Sequence, residues 1–207
     1  MQKVKVFIQA RMSSRRFPGK VLAPFRGRPL IMSVVDAVAR VVARDDIVVV
    51  TSIEASDDPL ALFLATRQVK VFRGELDRVF SRFCAAIQDH PCDWVVRICG
   101  DSPLLDPEIL ALVLNRVDSP ADVVTTLAPR TVPRGHAVEM VRAGLFQTLD
   151  AHLLTPHEQE HVTPVFYRES GRFRLENVLH PGGDLSGLSY VVDTVEDLHK
   201  LEREHAG

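Results

Sequence analysis

Short apolar, β-branched runs alternate along the chain with longer amphipathic stretches, a pattern that predicts a parallel sheet flanked by helices. Strands are predicted over residues 4–9, 47–51, 69–72, 94–98, 123–126 and 190–192. Helices are predicted over 29–42, with proline at the first position, and over 58–66 and 76–88. Asp106, Pro107 and Glu108 supply a cap, a helix-starting proline and a first-turn acid for a further helix to about residue 117. Thr194, with Asp197 three positions on, caps a last helix. The alternation is regular up to about residue 126. Pro129, Pro133 and Gly135 then punctuate residues 127–144, read as a loop or an antiparallel excursion over the sheet. The expected fold is α/β, one domain over residues 1–207 with a mixed, mostly parallel sheet.

In open α/β sheets ligands sit beyond the carboxyl ends of the strands, so chemistry is sought in the loops that follow them. These are residues 10–20, Thr51-Ser52, Arg73-Gly74, Gly100-Asp101 and Asp193-Thr194. Charge singles out the first. The opening 35 residues carry eight Lys or Arg and no acid, in a chain of net charge −2, and six of the eight fall within residues 11–28. A basic turn built from Ser13, Ser14, Pro18 and Gly19 presents cations and backbone N–H groups to a compact polyanion, with a nucleoside triphosphate as the natural candidate. A solvated basic loop is the competing reading. The remaining residues carry 17 basic against 27 acidic side chains, which argues against the broad basic face of a nucleic-acid binder.

A chain of this length buries roughly 70% of its unfolded surface and needs no staples. Cys84, Cys92 and Cys99 are odd in number and lack CxxC spacing, which fits reduced thiols in a cytosol. No segment approaches the ~18 apolar residues of a membrane helix, so the expectation is a soluble, cytoplasmic protein without membrane or nucleic-acid partners.

Three further segments carry candidate chemistry. Asp101, on a glycine turn after a strand, suits Mg²⁺, which prefers one or two carboxylates plus phosphate oxygens; an Asx-turn role competes. Asp193 stands at a strand end, left free by the Thr194 cap, as a second metal ligand or a plain turn acid. His157-Glu158-Gln159-Glu160-His161 matches the HExxH zinc-hydrolase pattern, but Thr155-Pro156 with Glu158 also spell a capping box at the start of a short helix ended near Pro164. Walker A and GxGxxG spacings are missing.

Beyond these local readings, IQARMSSRRFPGK resembles the IQARMGSTRLPGK signature of the spore-coat polysaccharide biosynthesis protein F group, which belongs with the CMP-sugar synthetases. The resemblance continues in order through VFRGELDRVFSRF, VVRICGDSPLLDPEIL, PRGHAVEM, EQEHVTP and VVDTVEDL. Departures are Ser13 where the signature has glycine, Arg15 where it has threonine, and Ala137 where an aspartate is expected. The resemblance implies a Rossmann-like nucleotide-diphospho-sugar transferase fold and Mg²⁺-dependent transfer of CMP from CTP to an acidic sugar or related acceptor, with pyrophosphate leaving. By position it implies that Arg11, Arg16 and Lys20 hold the β and γ phosphates, with Ala10, Ser13, Ser14, Thr51 and Arg97 also on the nucleotide. Lys20, Arg11 and Asp101 form the catalytic set, and Asp101 and Asp193 the metal ligands. Arg73, Asp77, Glu139, Glu160 and His161 are implied on the acceptor side, Arg73 pairing with an acid group. Relatives suggest a homodimer, with residues 127–140 as a contact arm. A nucleotide-sugar-dependent glycosyltransferase of the same fold is the alternative, although the chain has no DxD motif.

Overall fold

The structure, a computed structural model, describes residues 2–169 and 171–205. Its main sheet has seven strands in the order β5–β4–β1–β6–β8–β7–β9. Four of them, β1 (Val4–Gln9), β4 (Ile47–Ser52), β5 (Lys70–Gly74) and β6 (Trp94–Cys99), run parallel. Then β8 (Glu139–Arg142) enters antiparallel between β6 and β7 (Val123–Thr125), and β9 (Leu175–Asn177) pairs parallel with β7. A two-stranded ribbon, β2 (Pro24–Phe25) and β3 (Arg28–Pro29), stands apart.

The central strands are apolar on both faces because both are covered. Val6 and Ile8 of β1 face one core with α1 (Leu30–Ala39), α2 (Asp58–Thr66), α4 (Pro107–Leu114) and α8 (Val195–Glu204). Phe7 of β1 faces the other, with α3 (Val79–Asp89), α5 (Ala143–Thr148) and α7 (Pro164–Arg168). Strand β1 lies at the break in strand order, where β4 follows it on one side and β6 lies on the other. That break is where α/β sheets open a crevice for ligand.

The structure departs from the sequence expectations in several places. Residues 190–192 do not join the sheet; Tyr190 N–H donates to Arg134 O (2.7 Å) and Val192 N–H to Asp101 O (2.9 Å), so the segment crosses between two loops. Within 127–144 the chain does turn antiparallel, but as a strand of the sheet itself, β8 between β6 and β7, and not as an excursion over it. The segment 127–140 offers little as a contact arm, because Val132, Val138 and Met140 are buried in the chain's own core. Helix α1 is shorter than expected and takes Pro29 as its N-cap, and α3 starts at Val79. The Asp106 cap is present, its Oδ1 accepting from Glu108 N–H at 2.8 Å.

Candidate active site

The loop after β1 is held by distant residues as well as by its own hydrogen bonds. The Asp57 carboxylate, fully buried, accepts from Met12 N–H (2.7 Å), Thr51 Oγ (2.9 Å) and Ser52 N–H (2.9 Å). Burial works to raise the pKa of Asp57, but the donors from Ser52, Met12 and Thr51 outweigh it and hold the group below its ordinary value. Arg11 pairs with Glu160 at 3.0 Å, and Gly19 N–H closes the loop on Met12 O at 2.8 Å. Ser13, in the place of the signature's glycine, is not among the residues with positive φ, so the substitution brings no backbone strain.

Lys20 then turns inward on a single 3₁₀ turn. Its Nζ donates to Asp101 Oδ2 (2.8 Å), Asp193 Oδ1 (3.1 Å) and Val192 O (2.8 Å). Arg16 reaches the other Asp193 oxygen at 2.8 Å. Two local devices place these carboxylates. Gly100 lets the loop after β6 lie against β1, since a Cβ there would stand 2.9 Å from Ala10 Cβ and 3.0 Å from Gln9 O. At the other end, a Thr194–Asp197 capping box starts α8, and Asp197 also accepts from Asp193 N–H at 3.0 Å, leaving the Asp193 side chain for Lys20 and Arg16.

These groups line a cavity of about 910 Å³. Of the residues singled out in the sequence, Ala10, Arg11, Ser13, Ser14, Arg16, Lys20, Arg97, Asp101, Asp77, Glu160, His161 and Asp193 line it. Thr51, Arg73 and Glu139 do not. Thr51 is buried as a donor to Asp57. Arg73 is spent on the turn after β4, donating to Ser52 O (2.8 Å), Glu54 O (3.0 Å) and Asp58 (2.6 Å), and is not free to meet an acceptor acid.

Glu139 sits behind the cavity wall, 1% exposed, with Arg97 donating to it at 2.8 Å and Tyr167 hydroxyl donating to its other oxygen. Burial pushes the Tyr167 hydroxyl well above its ordinary pKa, so it stays a donor. Glu139→Gln removes the counter-charge of a buried guanidinium and is expected to cost about 3–5 kcal/mol of stability, read by denaturant unfolding. A loss below about 1 kcal/mol would show that Arg97 does not depend on this pair.

The HExxH spacing serves a different purpose. Helix α6 (Pro156–His161) has only six residues and ends at Val162 with φ 70°. Glu158 is engaged by the Thr155 capping box and by Arg168 at 2.5 Å. Among the described residues no group of three or more His, Cys, Asp or Glu is arranged to hold a metal ion, so the zinc-hydrolase reading lacks its third ligand. Two residues that matter were not picked out by sequence reasoning: Asp57, which anchors the loop, and Arg82, a buried cation on the cavity wall. Arg82 had a signal, since it shares the apolar face of α3 with Val79, Phe83 and Ala86.

Sheet order and loop chemistry together describe a nucleotide-binding α/β transferase, and known proteins narrow that class. The Cytidylyltransferase family model matches residues 6–202. The Bacillus subtilis spore coat polysaccharide biosynthesis protein SpsF is 33% identical over 98% of this chain and 86% of its own. A 3-deoxy-manno-octulosonate cytidylyltransferase from Anaeromyxobacter is 32% identical over 68% of this chain and 59% of its own length. A cytidylyltransferase structure from Leptospira borgpetersenii superposes with a TM-score of 0.91 at 29% identity, covering 98% of this chain and 86% of that one. The chain belongs to the cytidylyltransferase family and is a nucleotidyltransferase. Among the described residues no helix is long and apolar enough to cross a membrane.

Proposed function

We propose that the protein transfers CMP from CTP to a hydroxyl of an acidic sugar, releasing pyrophosphate, and so supplies an activated unit for polysaccharide or glycoconjugate synthesis. One observation carries this reading. Asp101 and Asp193, 92 positions apart, meet on the Lys20 ammonium at the end of the basic loop. Transfers at phosphorus are catalysed mainly by positioning and charge neutralisation, so a site of this kind needs cations and carboxylates more than a nucleophilic side chain. The names of the Bacillus and Anaeromyxobacter relatives supply the polysaccharide setting and the acidic-sugar class.

Lys20, Arg11 and Arg16 are assigned to the triphosphate, together with Ser13, whose buried hydroxyl has no hydrogen-bond partner among the described residues, and Ser14. The Asp101 and Asp193 side chains are each about one-quarter exposed, and as hard oxygen donors beside a phosphate-binding loop they fit Mg²⁺. They are the residues that would hold it. Bound there, the ion supplies charge neutralisation and orientation of the triphosphate. Glu160 and His161 are assigned to the sugar, a role in which Arg73 and Glu139 no longer take part.

The test is pyrophosphate release with CTP, Mg²⁺ and a panel of acidic sugars that includes 3-deoxy-manno-octulosonate. Release that requires both CTP and one such sugar is expected. Release with none of the panel, together with sugar transfer from a nucleotide sugar, would establish the glycosyltransferase alternative instead.

A further inference from the structure

Arg82 is 2% exposed, yet it lines the cavity. Its stem passes under Gly74, where a Cβ would stand 2.8 Å from Arg82 Cγ, so that glycine makes room for it. One nitrogen, Nη1, donates to Glu75 O at 3.1 Å. The other two, Nε and Nη2, are buried without a hydrogen-bond partner among the described residues. Those two form the side edge of the guanidinium, a fork of two parallel donors. The nearby anion, Asp57, has both carboxylate oxygens committed to Met12, Thr51 and Ser52. Burial lowers the pKa of Arg82 to about 10, Asp57 opposing and Arg11 adding to the shift, so the group remains charged and keeps every N–H at neutral pH.

A buried fork with nothing to bind is a costly arrangement unless a ligand completes it. Three kinds of ligand present paired acceptors to such a fork: a carboxylate, a phosphate, or a ring edge with adjacent nitrogen and carbonyl acceptors. The position of Arg82 decides between them. It packs against the turn after β5, on the opposite side of β1 from β6 and the Asp101 that follows it, and the apolar Leu76 and Val79 of the same segment line the cavity with it. Apolar walls suit the flat faces of a base, whereas the phosphates find their cations at Arg16 and Lys20, and sugar hydroxyls and acids find partners at Arg97, Glu160 and His161.

We infer that Arg82 reads the N3–O2 edge of the cytosine ring through Nε and Nη2 and thereby selects CTP over UTP. Cytosine offers two acceptors on that edge. Uracil places an N3–H donor there, which faces a donor and leaves both unsatisfied. The inference rests on the CTP reading above, and its test needs no acceptor sugar.

Equilibrium affinities of the intact protein are measured for CTP, UTP and 3-deaza-CTP, which lacks the N3 acceptor. The wild type should favour CTP over each of the others by about 10- to 100-fold, the span that one bidentate pair supports. Arg82→Lys keeps the charge and loses the fork; both preferences should shrink to about threefold or less, mainly through weaker CTP binding. Arg82→Gln, read in the same way, serves if the lysine variant does not fold by circular dichroism. A variant that binds all three nucleotides more weakly by one common factor would make Arg82 a prop for the 74–77 turn and overturn the assignment. So would a variant that keeps the wild-type preference for CTP over both other nucleotides. A wild type that binds CTP no better than UTP and 3-deaza-CTP overturns the inference alone, and one that binds none of the three overturns it together with the CTP reading.

Discussion

Asp101→Asn is expected to lower kcat with CTP by at least about a hundredfold while the melting temperature stays within a few degrees of the wild type. The side chain follows β6 on a turn fixed by Gly100, and its carboxylate contacts Lys20 at 2.8 Å. The amide has nearly the same shape, and its oxygen still accepts from the ammonium, so packing and the ground-state contact survive. What disappears is one formal negative charge at the point where Asp101 and Asp193 converge. Removal of a single preorganised electrostatic contact costs about 10²–10³ in rate where charge develops in the transition state. Steady-state pyrophosphate release reads the loss, and a variant within threefold of wild type would remove Asp101 from the chemistry. A variant that loses both turnover and its cooperative melt would identify a structural role instead.

Lys20→Ala is expected to weaken CTP binding by about 10- to 100-fold, the range for a lost charge-assisted contact, and CMP binding by less than about threefold. The asymmetry is the informative part. Lys20 is 8% exposed, with its ammonium shared among Asp101, Asp193 and Val192 O. If it also meets the outer phosphates, only the triphosphate loses a partner. Calorimetric titration with both nucleotides measures the pair, and equal losses would place Lys20 away from the β and γ groups. Without the ammonium, Asp193 retains Arg16 at 2.8 Å whereas Asp101 has no other basic partner among the described residues.

Much of this site was legible from local signals. Strands β1 and β6 advertise themselves by short, mostly apolar runs, and the residues just after them, from Ala10 to Lys20 and Gly100-Asp101, fall at the sheet's opening as a matter of topology. Thr194 and Asp197 showed that Asp193 is not needed as a cap. What stayed hidden depended on contacts between residues far apart in sequence. Arg73 looks as free as Arg97 on paper, and only the turn after β4 reveals that Ser52, Glu54 and Asp58 claim it. Residues 139–142 and 175–177 are too short to show a period, and they become strands because β6 and β7 offer them partners. Residues 190–192 have strand composition but bridge Arg134 and Asp101 instead. Arg82 was obscured by the ordinary expectation that a helical arginine faces water.

The basic loop is moored to three remote parts of the chain: Asp57 at Met12, Glu160 at Arg11, and the Asp101–Asp193 pair at Lys20. Fixing a backbone residue consumes about 1–2 kcal/mol of conformational entropy. Here that ordering is completed when the polypeptide folds, and a nucleotide arriving at the loop meets a cradle already cast. Association should therefore be quick and should leave the main-chain amide exchange of residues 10–20 nearly unchanged, while any lesion that frees a mooring transfers the entropic burden from folding to every encounter with ligand.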